Sequence, residues 1–430
     1  MPRSLAPLRH RGFRLLTGGQ LASNFGDAFY AVALPWYVLA EHGGALLLGT
    51  VLVAYGVPRT VLLAVGGHAS DRWRPWTVMM ASDGVRTVAA AALAVAAATG
   101  PARIEILVPI AVVLGAGEGL FLPGSFSIVP SLLPDEDLQA GNALSSSGTQ
   151  LATLVGPAVG GALVAFVGPA PAFAVDAATF LLSALSLAGV RSAQRRVPVE
   201  PPVVDVTEAA RPTTLRRLLR TEPVLLVILL VSLAANLGSG GLVEVALPAL
   251  AHGPLHSDAV GYGGLIAAFG AGALIGTIVA AQVRTPRRPA IAGSIAFLGE
   301  AVFMAVIPYL GGILPAGGAL VVFGVLNGFG NVITITLFQR WAPPDLLGRA
   351  SGLLMLASIG IFPVSVALGA LVTQNFGPAP FFPLAAAALA LAVGGGLCQR
   401  DWRNLGAPHK ENCASVPDQA SSTAGGTGDH

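Results

Sequence analysis

Long apolar runs separated by short polar connections repeat along the whole chain. A helix needs roughly 20 predominantly apolar residues to cross about 30 Å of hydrocarbon. Residues 15–39, 45–66, 76–99, 104–129, 139–166, 171–190, 223–249, 259–281, 290–310, 316–338, 348–372 and 379–397 each meet that length. The pattern predicts an all-α integral membrane protein with twelve transmembrane helices. The first run is read as a span and not as a cleaved signal, because it continues past Asp27 to Trp36 with no small-residue cleavage site. The one long polar connection, 191–222, sets a first six-helix half (1–190) apart from a second (223–398). Residues 399–430 form a tail, expected to be disordered from Ala407 onward.

Charge tests the count and gives it a direction. Of 24 Lys and Arg residues, 21 fall on one face when both termini are placed inside. Arg103 alone falls outside, and Arg59 and Arg86 lie within spans. The positive-inside rule then predicts a multi-pass protein with both termini cytoplasmic. Charged residues make up only 11% of the chain, against about 25% in soluble domains. A formal net charge of +2 gives no basis for nucleic-acid binding. Two cysteines, Cys398 and Cys413, do not make a metal site or disulfide framework. His252, His256 and Asp258 share an outer loop, where a solvated cluster is expected and a metal is not. There is no G-x-x-x-x-G-K-[ST] loop, so ATP is not expected to power the chain, and no enzyme chemistry is expected.

The halves retain traces of one another. "VVLGAGEGLF" (Val112–Phe121) matches "VVFGVLNGFG" (Val321–Gly330), and "GGALV" (Gly160–Val164) matches "LGALV" (Leu368–Val372). Repeats related by an axis along the membrane normal suit a transporter with substrate bound between them near the midplane. The expected partners are therefore a small-molecule substrate and the lipid bilayer, with the protein monomeric.

Charges inside spans are expensive and mark function by default. Asp27, Arg59, Glu118 and Glu300 sit near the centres of their runs and are the candidates for proton coupling. A carboxyl that alternates between an apolar and a cation-paired setting can load and release a proton. Arg59 needs an anion, which Asp27 or Glu118 can supply. The bland alternatives are that Asp27 hydrogen-bonds within the bundle and that Glu118 is a permanent partner of Arg59. Glu300 reads equally as a second protonation site or a cation-recognition residue. Asp176 and Glu244, toward the outer side, are candidates to line an outer vestibule. Asp83 and Arg86 share a helix face near the cytoplasmic side.

Between the second and third runs stands "GGHASDRWRPW" (Gly66–Trp76). Gly67 permits close helix approach, Asp71 can accept hydrogen bonds at the start of the next helix, and Arg72 can pair with an acid. With Asp83 and Arg86 these residues form a candidate inner gate. The stretch resembles the G-x-x-x-D-R-x-x-R motif of the major facilitator superfamily, with Arg74 one place early and Pro75 where a basic residue is expected. "GTQLATLVGPAVGG" (Gly148–Gly161) resembles the glycine-proline motif of drug/proton antiporters in that superfamily. Gly148, Gly156, Pro157, Gly160 and Gly161 carry the likeness, which in the family is associated with export. "FRLLTGGQLASNFGDAFYAVALPWYVL", "ASDGVR" and "PDEDLQAGNALSS" resemble the macrolide efflux and enterobactin exporter branch. The resemblance implies the major facilitator fold. It also implies export of a small, partly hydrophobic molecule (a drug, macrolide, siderophore or other secondary metabolite) by alternating access and proton antiport. No cofactor is implied beyond the proton gradient. The alternative is proton-coupled or facilitated import of a metabolite through the same fold.

Overall fold

Backbone donors and acceptors find no water inside a bilayer, so an apolar run of this length becomes a helix that satisfies them internally. The computed structural model describes residues 3–40, 44–72, 74–191, 223–282, 288–341 and 353–405, and these form helices joined by tight turns. A 3-10 segment, Arg3–Arg9, leads into α1 (Arg11–Ala40), α2 (Gly44–Arg72) and α3 (Pro75–Thr99). These are followed by α4 (Ile104–Ile128), α5 (Asp135–Val167) and α6 (Pro169–Arg191). Next come α7 (Pro223–His252), α8 (Ala259–Gln282), α9 (Pro289–Val306) and α10 (Ile313–Trp341). The series ends with α11 (Leu353–Phe376), α12 (Phe381–Cys398) and the short α13 (Arg400–Asn404). The expectations for the central loop and the terminal tail fall on 192–222 and 406–430, outside the described residues.

Among the described residues, 11 helices are long and apolar enough to cross a membrane. The 30-residue α1 is not among them, although the sequence pattern counts it as a span. Gln20, Ser23, Asn24 and Asp27 interrupt its apolar character, and the same residues line the internal cavity described below.

Two helices depart from α geometry where their sequences remove a donor. In α7 a π-helical turn, Leu242–Ala246, precedes Pro248; in α11 another, Leu356–Gly360, precedes Pro363. Each proline lacks the N–H that would bond the carbonyl four residues back, so the local ladder reorganises. The two helices also interlock beside the first of these turns. Gly241 N donates to Ser365 Oγ at 2.6 Å, and Ser365 Oγ donates to Leu237 O. The hydroxyl of α11 is thus inserted into the Gly241–Leu237 position of α7's own i→i−4 ladder, a recognised cause of helix bending.

The ends of the bundle differ. At the end opposite the start of α1, a single buried cluster joins the halves: Tyr37, Leu48 and Leu52 with Val245, Ala259, Val366 and Ala370. The α5–α8 seam reinforces it. A β-carbon on Gly263 would overlap the Pro157 carbonyl, and one on Gly161 would overlap that of Ala259. Pro157 leaves the Thr153 carbonyl without its helical donor, and this oxygen faces the bare Cα of Gly270 on α8. At the end where α1 begins, buried apolar residues keep to their own half. Phe13, Trp76, Met79 and Leu187 cluster in the first half, and Val224, Leu225, Val393 and Trp402 in the second. Closure at one end and separation at the other leave room for a cavity.

Candidate functional site

A cavity of about 800 Å³ lies within the first half, bounded by α1, α3, α4 and α5. Along α1, Gln20, Asn24 and Asp27 recur at i, i+4 and i+7, which places them on one helix face. Asn142, Ser145, Ser146 and Thr149 repeat the arrangement on α5, and Asn24 Nδ2 donates to Thr149 Oγ1 at 3.1 Å. Phe121, Leu122 and Val129 supply the apolar part of the lining. Near the mouth, His10 Nε2 and Asp137 Oδ2 lie 3.1 Å apart, tying the leading segment to the start of α5.

The deep wall carries the charges. Arg86 Nη2 donates to Asp27 Oδ1 at 2.8 Å, and Arg86 Nη1 lies 3.7 Å from Asp83 Oδ1. The three differ in access: side-chain exposure is 44% for Asp27, 5% for Arg86 and 0% for Asp83. The guanidinium is stacked 3.9 Å above the Phe180 ring, which favours a cation in a dry setting. Its methylenes run where a side chain at Gly117 would stand, since a β-carbon there would come within 2.6 Å of Arg86 Cγ. Close approach of α3 and α4 at this level therefore requires a glycine.

Arg59 is engaged separately. Its Nη2 lies 3.1 Å from Glu118 Oε1, its Nε is buried without a partner, and the Phe362 ring of α11 is centred 5.9 Å away. Glu244, in the π turn of α7, interacts electrostatically with Arg59 from the other half.

Of the two anions that the sequence offers Arg59, the geometry pairs it with Glu118, while Asp27 is held by Arg86. Other expectations change. Arg86 and Asp83, grouped by sequence with the inner gate, lie 11 and eight residues into α3, roughly 12–16 Å from its start. That depth puts them in the central cluster. Asp176 does not line an open vestibule: it is 1% exposed, sealed because Gly26 on α1 has no side chain to hold α6 away. Glu244 is half-buried in the π turn. Glu300 belongs to a different place, bonded to Asn327 on α10. The helix of α2 continues through Arg72, but the Gly67, Asp71 and Arg72 side chains lie outside the described residues. Gly156 and Gly160 face Ala28 and Phe29 of α1, whereas Gly161 faces α8; a β-carbon on Gly148 would stand 3.5 Å from Leu21 Cδ1. Asp258 Oδ1 accepts from Gly261 N as an N-cap of α8, and the His252 ring packs edge-on against Trp36.

Residues 16–362 match the model of the Major Facilitator Superfamily. The chain belongs to this superfamily. It is a multi-pass membrane transporter, and the sequence relatives agree. The enterobactin exporter EntS of Salmonella typhimurium is 26% identical over 353 residues, 80% of this chain and 81% of its own. The multidrug efflux pump Tap of Mycobacterium tuberculosis is 28% identical over 390 residues, 84% of this chain and 87% of its own. Among solved structures, a D-xylose-proton symporter superposes with a TM-score of 0.67 at 15% identity, covering 89% of this chain and 95% of its own. The nucleoside transporter NupG superposes at 0.66 and 13%, covering 90% and 99%. These superpositions concern the fold alone. Within this superfamily member the sequence reading missed Phe180 and the amide and hydroxyl lining. The lining carried a legible signal, because a polar stripe at helical spacing in an otherwise apolar span faces inward.

Proposed function

We propose that the protein exports a small molecule across the plasma membrane by proton antiport, using twelve helices in two six-helix halves. The observation that carries the reading is the Asp27–Arg86–Asp83 triad at the deep wall of a polar cavity. Asp27 is the member with access to the cavity, and Arg86 has a second carboxylate beside it. When Asp27 takes a proton, Arg86 keeps Asp83 as counter-charge, so protonation does not strand a buried cation. Glu118 has no such arrangement, because Arg59 has no second carboxylate at ion-pair distance and only Glu244 and Asp27 act on it from farther away. Asp27 is therefore the proton carrier, and Glu118 holds Arg59 at the junction of the halves.

Export is supported by the efflux relatives and by the α5 glycine-proline segment, which forms the seam with α8. Twelve of the fifteen side chains lining the cavity are polar or charged. Phe121, Leu122 and Val129 add apolar surface, so the lining suits a cargo that carries both hydrogen-bonding groups and apolar parts. With both termini cytoplasmic, the cavity mouth faces the cytoplasm, where such a cargo is collected.

The test is transport in liposomes with an imposed pH gradient and an internal pH dye. Cargo is chosen beforehand by differential accumulation in cells with and without the protein, from a panel spanning hydroxylated siderophores, macrolides and apolar dyes. Asp27→Asn is expected to abolish uphill export while leaving downhill exchange measurable, and Glu118→Gln to slow transport with its proton ratio intact. Asp27→Asn exchanging protons for cargo at the wild-type ratio would overturn the assignment.

A further inference from the structure

Glu300 stands at mid-length on α9, 0% exposed, and takes no part in the cavity or its charged wall. Its Oε1 accepts from Asn327 Nδ2 at 3.1 Å, and Asn327 Oδ1 accepts from Asn331 Nδ2 at 3.2 Å. Asn331 is exposed and Asn327 half-buried, so the three side chains descend from the surface of α10 to a sealed carboxyl. Glu300 Oε2 is buried with no hydrogen-bond partner.

No cation faces this carboxyl among the described residues. The elements packed on α9 are α10, α12, α13 and the turn Ile307–Tyr309. Their charged or titratable residues are Arg340, Cys398, Arg400, Asp401, Arg403 and Tyr309. The short α13 meets α9 where Trp402 Nε1 donates to Ser294 Oγ at 3.1 Å, roughly 9 Å along the helix from Glu300. Arg340 follows Asn327 by 13 residues, roughly 20 Å along α10, and its side chain lies outside the described residues. Cys398 and Tyr309 are exposed. A lone carboxylate here would be an uncompensated ion, a state that proteins relieve by neutralising the group. Asn331 also fixes the Asn327 amide with its donor toward Glu300. A donor in that place remains bonded whether the carboxyl is neutral or charged, so the site accommodates both forms.

We propose that Glu300 is a second proton-binding site, separate from Asp27 and seated in the last six helices, reached through the Asn331–Asn327 ladder. The proposal extends the proton-coupled reading, yet its test needs neither cargo nor transport, so failure of Asp27 as carrier would leave it standing. The measurement is an infrared pH titration of the purified protein in liposomes, following the C=O stretch of protonated carboxyls. Subtracting Glu300→Gln from wild type is expected to isolate one band that fades as pH rises. The band should persist in an Asp27→Asn/Glu118→Gln background. Asn327→Val should move its midpoint by about one pH unit, roughly a tenfold change in proton affinity. If Glu300→Gln fails to insert, the midpoint shift in Asn327→Val carries the test alone. A difference band unchanged across the titration, no band, no shift with Asn327→Val, or loss of the band in the double variant would each overturn the proposal.

Discussion

Removing Arg86 is expected to destabilise the protein far more than removing either of its acids. In Arg86→Met the 0%-exposed Asp83 loses the guanidinium 3.7 Å away. At an effective dielectric of about 20, two unit charges at that separation attract by roughly 4–5 kcal/mol. Desolvation already offsets part of this in the native protein, and orphaning one member of a buried pair costs about 3–5 kcal/mol. Asp27 contributes less, because its side chain is 44% exposed to the cavity and water can replace the cation. Asp27→Asn should therefore cost about 1 kcal/mol or less, in the range of solvent-exposed pairs. The double variant Arg86→Met/Asp83→Asn leaves no buried ion and should recover most of the loss. The assay is reversible denaturant titration in mixed micelles for wild type, Arg86→Met, Asp83→Asn, their double variant and Asp27→Asn. A double-mutant cycle then yields an Arg86–Asp83 coupling of roughly 2–4 kcal/mol. Equal destabilisation by Arg86→Met with and without Asp83→Asn would refute the reasoning, since Asp83 would then not be the charge that Arg86 compensates.

Two further outcomes follow from the junction of the halves. Gly263→Val inserts a side chain against the Pro157 carbonyl, and overpacking of about 1–3 kcal/mol should shift the population away from the state closed at that end by roughly 5- to 150-fold. Distances between spin labels on α5 and α8 read the shift, and an unchanged distribution would show that the seam is not a gate. Ser365→Ala lets Gly241 N bond Leu237 O directly, so stability should change by less than about 1 kcal/mol while amide exchange around Gly241 slows. Faster exchange there would mean that the inserted hydroxyl stiffens α7 instead of bending it.

The helices were legible because crossing a bilayer imposes a length and an apolar character on a contiguous run, and both are read along the sequence. Partner choice was not, because it depends on how each helix is turned about its own axis. Arg86 and Asp27 are 59 positions apart, and nothing in either neighbourhood favours that pairing over Arg59 with Asp27. The turning can be read in part from the polar stripe Gln20, Asn24 and Asp27, which shows that Asp27 faces a cavity without saying which cation stands across it. Beside Pro248 and Pro363, likewise, the π geometry of α7 and α11 was decided by how the freed backbone repacked. Asp176 was misplaced for a related reason. Depth along α6 suggested a vestibule, and only the bare Cα of Gly26 on another helix shows why the carboxyl is sealed.

Positions matched by the similar stretches Val112–Phe121 and Val321–Gly330 carry different chemistry, which bears on how motion and charge are linked. Glu118 in "GAGEG" holds Arg59, while its counterpart Asn327 in "GVLNG" serves a neutral ladder to Glu300. The first half therefore carries ion pairs on its cavity wall, and the second meets it across the far-end seam mainly with apolar side chains and bare backbone. Arg59 stands at the point where the difference matters, bonded to Glu118 within its half, facing the Phe362 ring and within electrostatic reach of Glu244. Phe362 follows the π turn of α11, and Glu244 lies in that of α7, so both neighbours ride on backbone that has already left regular α geometry. A rocking motion that separates the halves would first change Arg59's surroundings, with Glu118 keeping the cation compensated as the other two withdraw. Because Glu118 and Arg59 share one half, such a motion would leave their 3.1 Å ion pair in place while the contacts from the π turns of the other half change.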